Sequence, residues 1–191
     1  MTMTHCFNSL LAVLSIFSAL FGHTAEPLPK EDTLKMLVKD ETEFALSLSK
    51  KSEIQVTANW VVSPYSIFSC LSLLYGGARG QTAQEIKQAL YLSFSQNTLP
   101  LASRMLFKSL SSSKNDALSF QLDTANALWL DRDTFVLTDF RRQAEDYFDA
   151  KVESVDFRET EKTTSIINEW IENQTQKKII KMLEETDIDA S

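Results

Sequence analysis

The chain is almost without histidine. Its 191 residues include two, His5 and His23, and both precede position 25. Beyond them no imidazole can take a nucleophile's proton, which excludes Ser-His and Cys-His pairs from the rest of the chain. Cysteine is as scarce, with only Cys6 and Cys70. A single thiol after the first stretch forms neither an internal disulfide nor a zinc site of the usual His and Cys type. In its apolar run Cys70 reads as a small hydrophobe. Glycine and proline number four each, and neither occurs after Pro100. Gly76, Gly77 and Gly80 crowd into one turn, so no G-x-x-x-x-G-K loop cradles a phosphate, and no G-x-S-x-G elbow occurs. Basic residues are outnumbered 19 to 26, giving a net charge of −7 and a pI near 4.9. That balance repels a phosphate backbone or an anionic membrane. No basic stripe overrides it: Arg104, Lys108 and Lys114 are spread over three helical turns, and Lys177, Lys178 and Lys181 form a short solvated cluster. Nucleic acid is not an expected partner, and no metal or cofactor is expected. The paired acids Glu184-Glu185 and Asp187 with Asp189 lie in a polar tail where solvated carboxylates are the default. No catalytic residues are assigned, and the chain is not expected to be an enzyme.

What is present begins with a stretch set apart. Residues 7–21 are apolar or small and uncharged, and no Lys or Arg occurs before Lys30. A run of about fifteen such residues suits the core of a signal peptide, whereas a membrane span needs about twenty. Cleavage after Ala25, ahead of Glu26-Pro27, divides the chain into a signal peptide, 1–25, and a mature part, 26–191. That part is expected to be secreted, extracellular or periplasmic, and free of the membrane once cut. Residues 1–5 lack a fixed positive side chain and His23 fits poorly three places from the cut, so an uncleaved anchor is the alternative. The remainder, in a chain 43% hydrophobic and 24% charged, has the composition of a globular protein. Asn173-Gln174-Thr175 is a glycosylation sequon, meaningful in a host with that machinery.

Periodicity then predicts the elements. Leu34, Leu37, Val38, Phe44, Ala45 and Leu48 fall near helical spacing over 31–50, with Glu41 interrupting the stripe. Asn59-Trp60-Val61-Val62 reads as a buried strand. Ser63 can cap the helix that follows, with Pro64 at its first position. Residues 67–75 are apolar on nearly every face and require cover all round; Gly76-Gly77 ends the helix. Thr82-x-x-Glu85 predicts a capping box for a third helix, with Ala83, Ile86 and Leu90 on one side. A fourth is expected over 97–114, with Leu101, Met105, Leu106 and Leu110 inward. The alternation from Leu118 through Ala125, Ala127 and Trp129 predicts a long strand ending near Leu130. A turn at 131–133, a helix carrying Leu137, Phe140, Ala144, Tyr147 and Phe148, and a strand over 152–157 follow. The last helix, 160–176, turns Ile166, Ile167, Trp170 and Ile171 inward, with Ile179, Ile180 and Leu183 apolar beyond it. The class is α+β.

This order of elements resembles the serpin family from about Leu34 to Asp189. The resemblance is carried by Asn59-x-x-x-Ser63-Pro64-x-Ser66-Ile67 and Gly77-Ala78-Arg79-Gly80-x-Thr82-Ala83-x-Glu85-Ile86. Ala125-Asn126-Ala127-Leu128-Trp129 is similar to the long strand of the family's main sheet, and Val155-Asp156-Phe157 to the strand after it. Ile167-Asn168-x-Trp170, with Thr175 and Ile179, is similar to the helix lying across that sheet. The family usually has Gly two residues after the Thr175 position, suiting a left-handed helix end; here it is Lys177. A basic heparin-type helix occurs in some relatives, but residues 102–114 are too sparsely charged for one.

The resemblance implies the region of helices A–F with part of the main sheet, and an inhibitor of serine proteases that acts once. An exposed loop near the C-terminus is cut, inserts as an extra strand and deforms the acyl-enzyme. It places Ser63, Pro64, Ser66 and Asn126 in the shutter beneath the parting sheet; for Ser63 and Ser66, helix capping is the alternative. The chain given is expected to stop before the central sheet strand and the reactive loop, so no reactive-site bond is assigned. Two functions stand open: part of a protease inhibitor, with a serine protease as partner where the C-terminal half exists, or a complete but non-inhibitory remnant, an interaction module or without function. Residues 26–191 alone are expected to be poorly soluble or molten.

Overall fold

The computed structural model describes residues 30–51, 61–112 and 124–188. The leader, with its histidines and Cys6, lies outside the described residues, as do Asn59-Trp60, residues 118–123 of the long strand, and Asp189. From Glu31 onward the chain is one unit.

The helix expected over 31–50 is α1, Lys30–Lys51, with acids in its first turn and lysines in its last, as the helix dipole favours. Its inner face carries Leu37 and Phe44, but the buried acid is Asp40, one residue before the interruption read at Glu41. The expected strand does not extend to Val61 and Val62, which have no regular structure, and Val61 is 95% exposed. Ser63 and Pro64 do start α2, Pro64–Gly77, with Ser63 as its N-cap. This helix joins two cores. Phe68 and Tyr75 pack with Leu37, Phe44, Leu90 and Leu106, while Leu73 packs with Ala144, Phe148, Ala150 and Val152. Cover is not complete: Leu74 and Cys70 are exposed. The double glycine at its end permits close approach. A Cβ on Gly77 would lie 2.8 Å from the Phe140 ring, and one on Gly76 2.6 Å from Gln143 Nε2.

α3, Gly80–Ala89, corrects the capping-box expectation. It starts at Gly80, whose φ of +57° only glycine adopts freely, and Arg79 at the cap makes no side-chain cap bond. Thr82 is thereby already inside the first turn, where it cannot cap, and Glu85 instead accepts from Gln81 Nε2 at 2.7 Å. Leu90, fully buried, closes the helix. α4, Leu99–Ser112, buries Leu99, Ala102 and Leu106 and half-buries Met105 and Leu110, but Leu101 points outward at 57% exposure. Leu99 and Leu106 are seven residues apart and set the inner face, which puts Leu101 on the other side.

β1, Asn126–Asp131, and β2, Ala150–Val155, form a parallel pair in register Asn126↔Ala150 to Asp131↔Val155. Parallel strands need a crossover, and α5, Thr138–Phe148, supplies it, ending at Asp149 in the left-handed region. β2 begins two residues before the expected 152 and releases Asp156 and Phe157. Asp156 leaves the ladder because its carbonyl accepts from Thr163 Oγ1 at 2.7 Å and its carboxylate from the Arg158 amide at 3.1 Å. α6, Thr160–Gln174, buries Thr163, Thr164, Ile167 and Ile171; Ile166 and Trp170 are half-buried. Trp170 meets Trp129 of β1 edge-on, with ring centroids 5.8 Å apart, so α6 touches the sheet at β1. Asn168 then holds the chain's return, accepting from the amides of Met182 and Leu183 and donating to the Leu183 carbonyl. A short 3-10 turn, Glu185–Asp187, follows. The fold is α+β.

Candidate functional site

The four residues assigned to the shutter lie at the starts of α2 and β1. Ser63 Oγ accepts from the Ser66 amide at 3.3 Å and from Ser66 Oγ at 2.9 Å. These bonds satisfy one of the orphan donors of the first turn. Both serines are exposed, and Pro64 between them is half-buried. Asn126, half-buried, donates from Nδ2 to the Phe148 carbonyl at 2.9 Å and so ties the first residue of β1 to the last residue of α5. The structure brings these ends together through Tyr65. Tyr65 and Asn126 line the same small cavity, with Phe68, Tyr147 and Phe148. Its volume of about 10 Å³ is the scale of one water.

Three further residues, Tyr65, Glu41 and Arg141, belong here that sequence reasoning did not single out for this place. Burial pushes the Tyr65 hydroxyl above the ordinary tyrosine range, and the neighbouring Glu41 carboxylate pushes it further the same way. Burial alone raises Glu41. The mark was present in the sequence as the acid interrupting the α1 stripe. Arg141 of α5 donates to the Val152 carbonyl of β2 at 2.7 Å and pairs with Glu145 at 3.7 Å, which fastens the crossover helix to its strand.

The chemistry available is that of recognition and support. Desolvation raises the Cys70 thiol although its surface is exposed, which keeps it from being an activated thiolate. A larger open cleft of about 390 Å³ lies between Gly76-Gly77 and the residues around Phe135, Leu137 and Phe140, with Arg79 and Asp139 as its charged members. Among the described residues no group of three His, Cys, Asp or Glu could hold a metal ion, and no helix is long and apolar enough to cross a membrane.

With this geometry in hand, the comparisons with known proteins decide the family. The family model for serpins, serine protease inhibitors, matches residues 39–191. The chain belongs to the serpin family. It is 35% identical over 131 residues to an uncharacterized serpin-like protein of Methanosarcina acetivorans, covering 68% of this chain and 30% of that protein. It is 32% identical over 151 residues to a serine protease inhibitor of Mus musculus, covering 77% and 34%. The crystal structure of mouse protein-Z dependent protease inhibitor superposes with a TM-score of 0.73 at 22% identity, over 85% of this chain and 43% of that one, a likeness of fold. This serpin chain spans about a third of the length of the curated relatives it matches.

Proposed function

We propose that this serpin chain supplies the helical body and part of the main sheet of an exported inhibitor of serine proteases, and that it is not an enzyme. The observation that carries this is the family match over residues 39–191, with relatives named serine protease inhibitors. On this reading residues 1–25 are a leader, residues 26–191 belong to the inhibitor domain, and the product is secreted. The family's trap works by admitting a cut loop as a new strand. Ser63, Pro64, Ser66 and Asn126 are then assigned to the shutter, a reading supported by their place at the starts of α2 and β1. The hydroxyls of Ser63 and Ser66 bond each other and are solvent-exposed.

The test is the intact mass of the protein from its native source, followed by incubation with serine proteases. A mass starting near Glu26 supports export. A mass roughly twice that of this chain, with an SDS-stable complex on incubation, supports the inhibitor. A mass ending at Ser191 with no complex refutes it in favour of a non-inhibitory remnant.

A further inference from the structure

Asn173-Gln174-Thr175 is the one Asn-x-Ser/Thr triplet in the chain, and neither the fold nor the shutter uses it as a triplet. It straddles the end of α6: Asn173 is exposed in the last turn, Gln174 is the last helical residue and Thr175 is the cap. The turn is closed firmly. The Lys177 amide donates to the Glu172 carbonyl at 2.8 Å and the Gln176 amide to the Asn173 carbonyl at 3.4 Å, the bond pair of a Schellman ending. Within it Thr175 Oγ1 donates to the Ile171 carbonyl at 2.8 Å and accepts from the Ile179 amide at 3.1 Å. A hydroxyl has one proton to give, and here it is given to the helix.

We propose that Asn173 is an N-glycosylation site that is used only before this turn closes. The proposal rests on the export reading. In the transfer, Asn173 Nδ2 forms a bond to C1 of an oligosaccharide, and the bond from that carbon to a lipid pyrophosphate breaks. The lipid pyrophosphate leaves with the electron pair, and the amide nitrogen loses one proton to the transferase's base. The acceptor sequence needs the hydroxyl as well as the amide. In the folded chain Asn173 faces solvent, but the Thr175 hydroxyl is held between Ile171 and Ile179 and cannot be read. Modification must therefore precede folding of the α6 terminus. The attached glycan, bulky and solubilising, then stands beside Ile179, Ile180 and Met182, which are 45%, 68% and 65% exposed.

The full chain is translated with endoplasmic-reticulum microsomes in two forms, with its own residues 1–25 and with a leader of proven cleavage in their place. The expected result is one upward gel shift, reversed by endoglycosidase, absent from Asn173→Gln and kept by Thr175→Ser. An imported chain with its leader cut and no shift overturns the site. A shift only with the replacement leader supports the site and overturns the export reading instead. The order of events is read with solubilised transferase and lipid-linked oligosaccharide, comparing the folded full chain with the same chain diluted from urea. The folded chain is expected to be modified at least about tenfold more slowly, since the turn must open first. Equal rates overturn the ordering.

Discussion

Ser93 gives both its amide and its hydroxyl to one side chain, the carboxylate of Asp40, at 2.7 and 2.8 Å and across 53 positions of sequence. Asp40 is 2% exposed on α1, and the loop it holds carries Leu90, Leu92 and Phe94 into the first core. Asp40→Ala removes two charge-assisted bonds, so a loss of about 2–3 kcal/mol is expected. Asp40→Asn keeps one acceptor and should lose about half as much. The urea midpoint followed by circular dichroism measures both, and equal effects would contradict the two-bond account.

The two glycines that end α2 make opposite predictions. At both positions alanine favours the helix by about 1 kcal/mol. A Cβ on Gly76 meets only the end of a flexible glutamine, which can move aside, whereas one on Gly77 meets the Phe140 ring. Gly76→Ala is expected to be neutral or mildly stabilising. Gly77→Ala is expected to cost about 1–3 kcal/mol, as overpacking does. The thermal midpoints of the two variants should fall on opposite sides of the parent's.

The end of α6 keeps the left-handed turn without the family's glycine. Gln176 and Lys177 take φ of 52° and 62°, a conformation that costs a side-chain-bearing residue about 1–2 kcal/mol. Gln176 sits at the position where glycine usually stands in this ending. Gln176→Gly is therefore expected to stabilise by less than about 1 kcal/mol, once the entropy glycine adds to the unfolded chain and the loss of the side chain's own interaction are set against the strain relieved. A lower unfolding midpoint for this variant would show that the side chain contributes more than the strain removes.

These sites also mark what the sequence could convey. The inward Leu37 and Phe44 of α1, Phe68 and Tyr75 of α2 and Ala144 and Phe148 of α5, with the Ser63 cap and the Gly76-Gly77 stop, are legible because each depends on neighbours within a turn or two. Val38, Leu74 and Leu137, read into the same apolar runs, are exposed. The parallel pairing of Asn126–Asp131 with Ala150–Val155 depends on residues 24 positions apart, and alternation carries no sign of strand direction. The Thr82-x-x-Glu85 pattern misled because the left-handed Gly80 starts the helix two residues early. Asp40 was invisible because its reason, Ser93, lies far along the chain. Of the residues proposed for the shutter, the Ser63–Ser66 contact is local capping and legible within one turn, whereas the bond from Asn126 to the Phe148 carbonyl spans 22 positions and has no local signal.

Asp156 gathers two arginines. Arg132 Nη1 lies 2.8 Å from Oδ2 and Arg158 Nε 2.8 Å from Oδ1. The Arg158 hydrogen bond first, and then the Arg158 amide and the charge of Arg132, hold the carboxyl below the ordinary aspartate value, against a raising effect of burial. The stabilisation is present above the unfolded aspartate value and lost as pH falls through the depressed folded value. Asp156→Asn should thus lower the unfolding midpoint at neutral pH and converge with the parent in acid. High salt should weaken the difference, since both arginines are about half-exposed at 54% and 55%. A gap that persists unchanged in strong acid would contradict the ion-pair account.

The apolar surface carries the last prediction. Phe135 is 86% exposed, Ile180 68%, Met182 65% and Leu137 64%, and β1 and β2 pair only with each other among the described strands. Single exposed hydrophobes are ordinary, but sheet edges left unpaired among the described residues, together with large apolar side chains, favour association. Residues 26–191 expressed alone are therefore expected to bind a hydrophobic dye and to grow in light scattering with concentration. Lysine replacing Ile180 and Met182 should reduce that growth if the stretch after α6 is the contact, and lysine at Phe135 should do so if the cleft beside α2 is. A monodisperse monomer that leaves the dye unbound would contradict this account and mean that these side chains are covered within the chain itself.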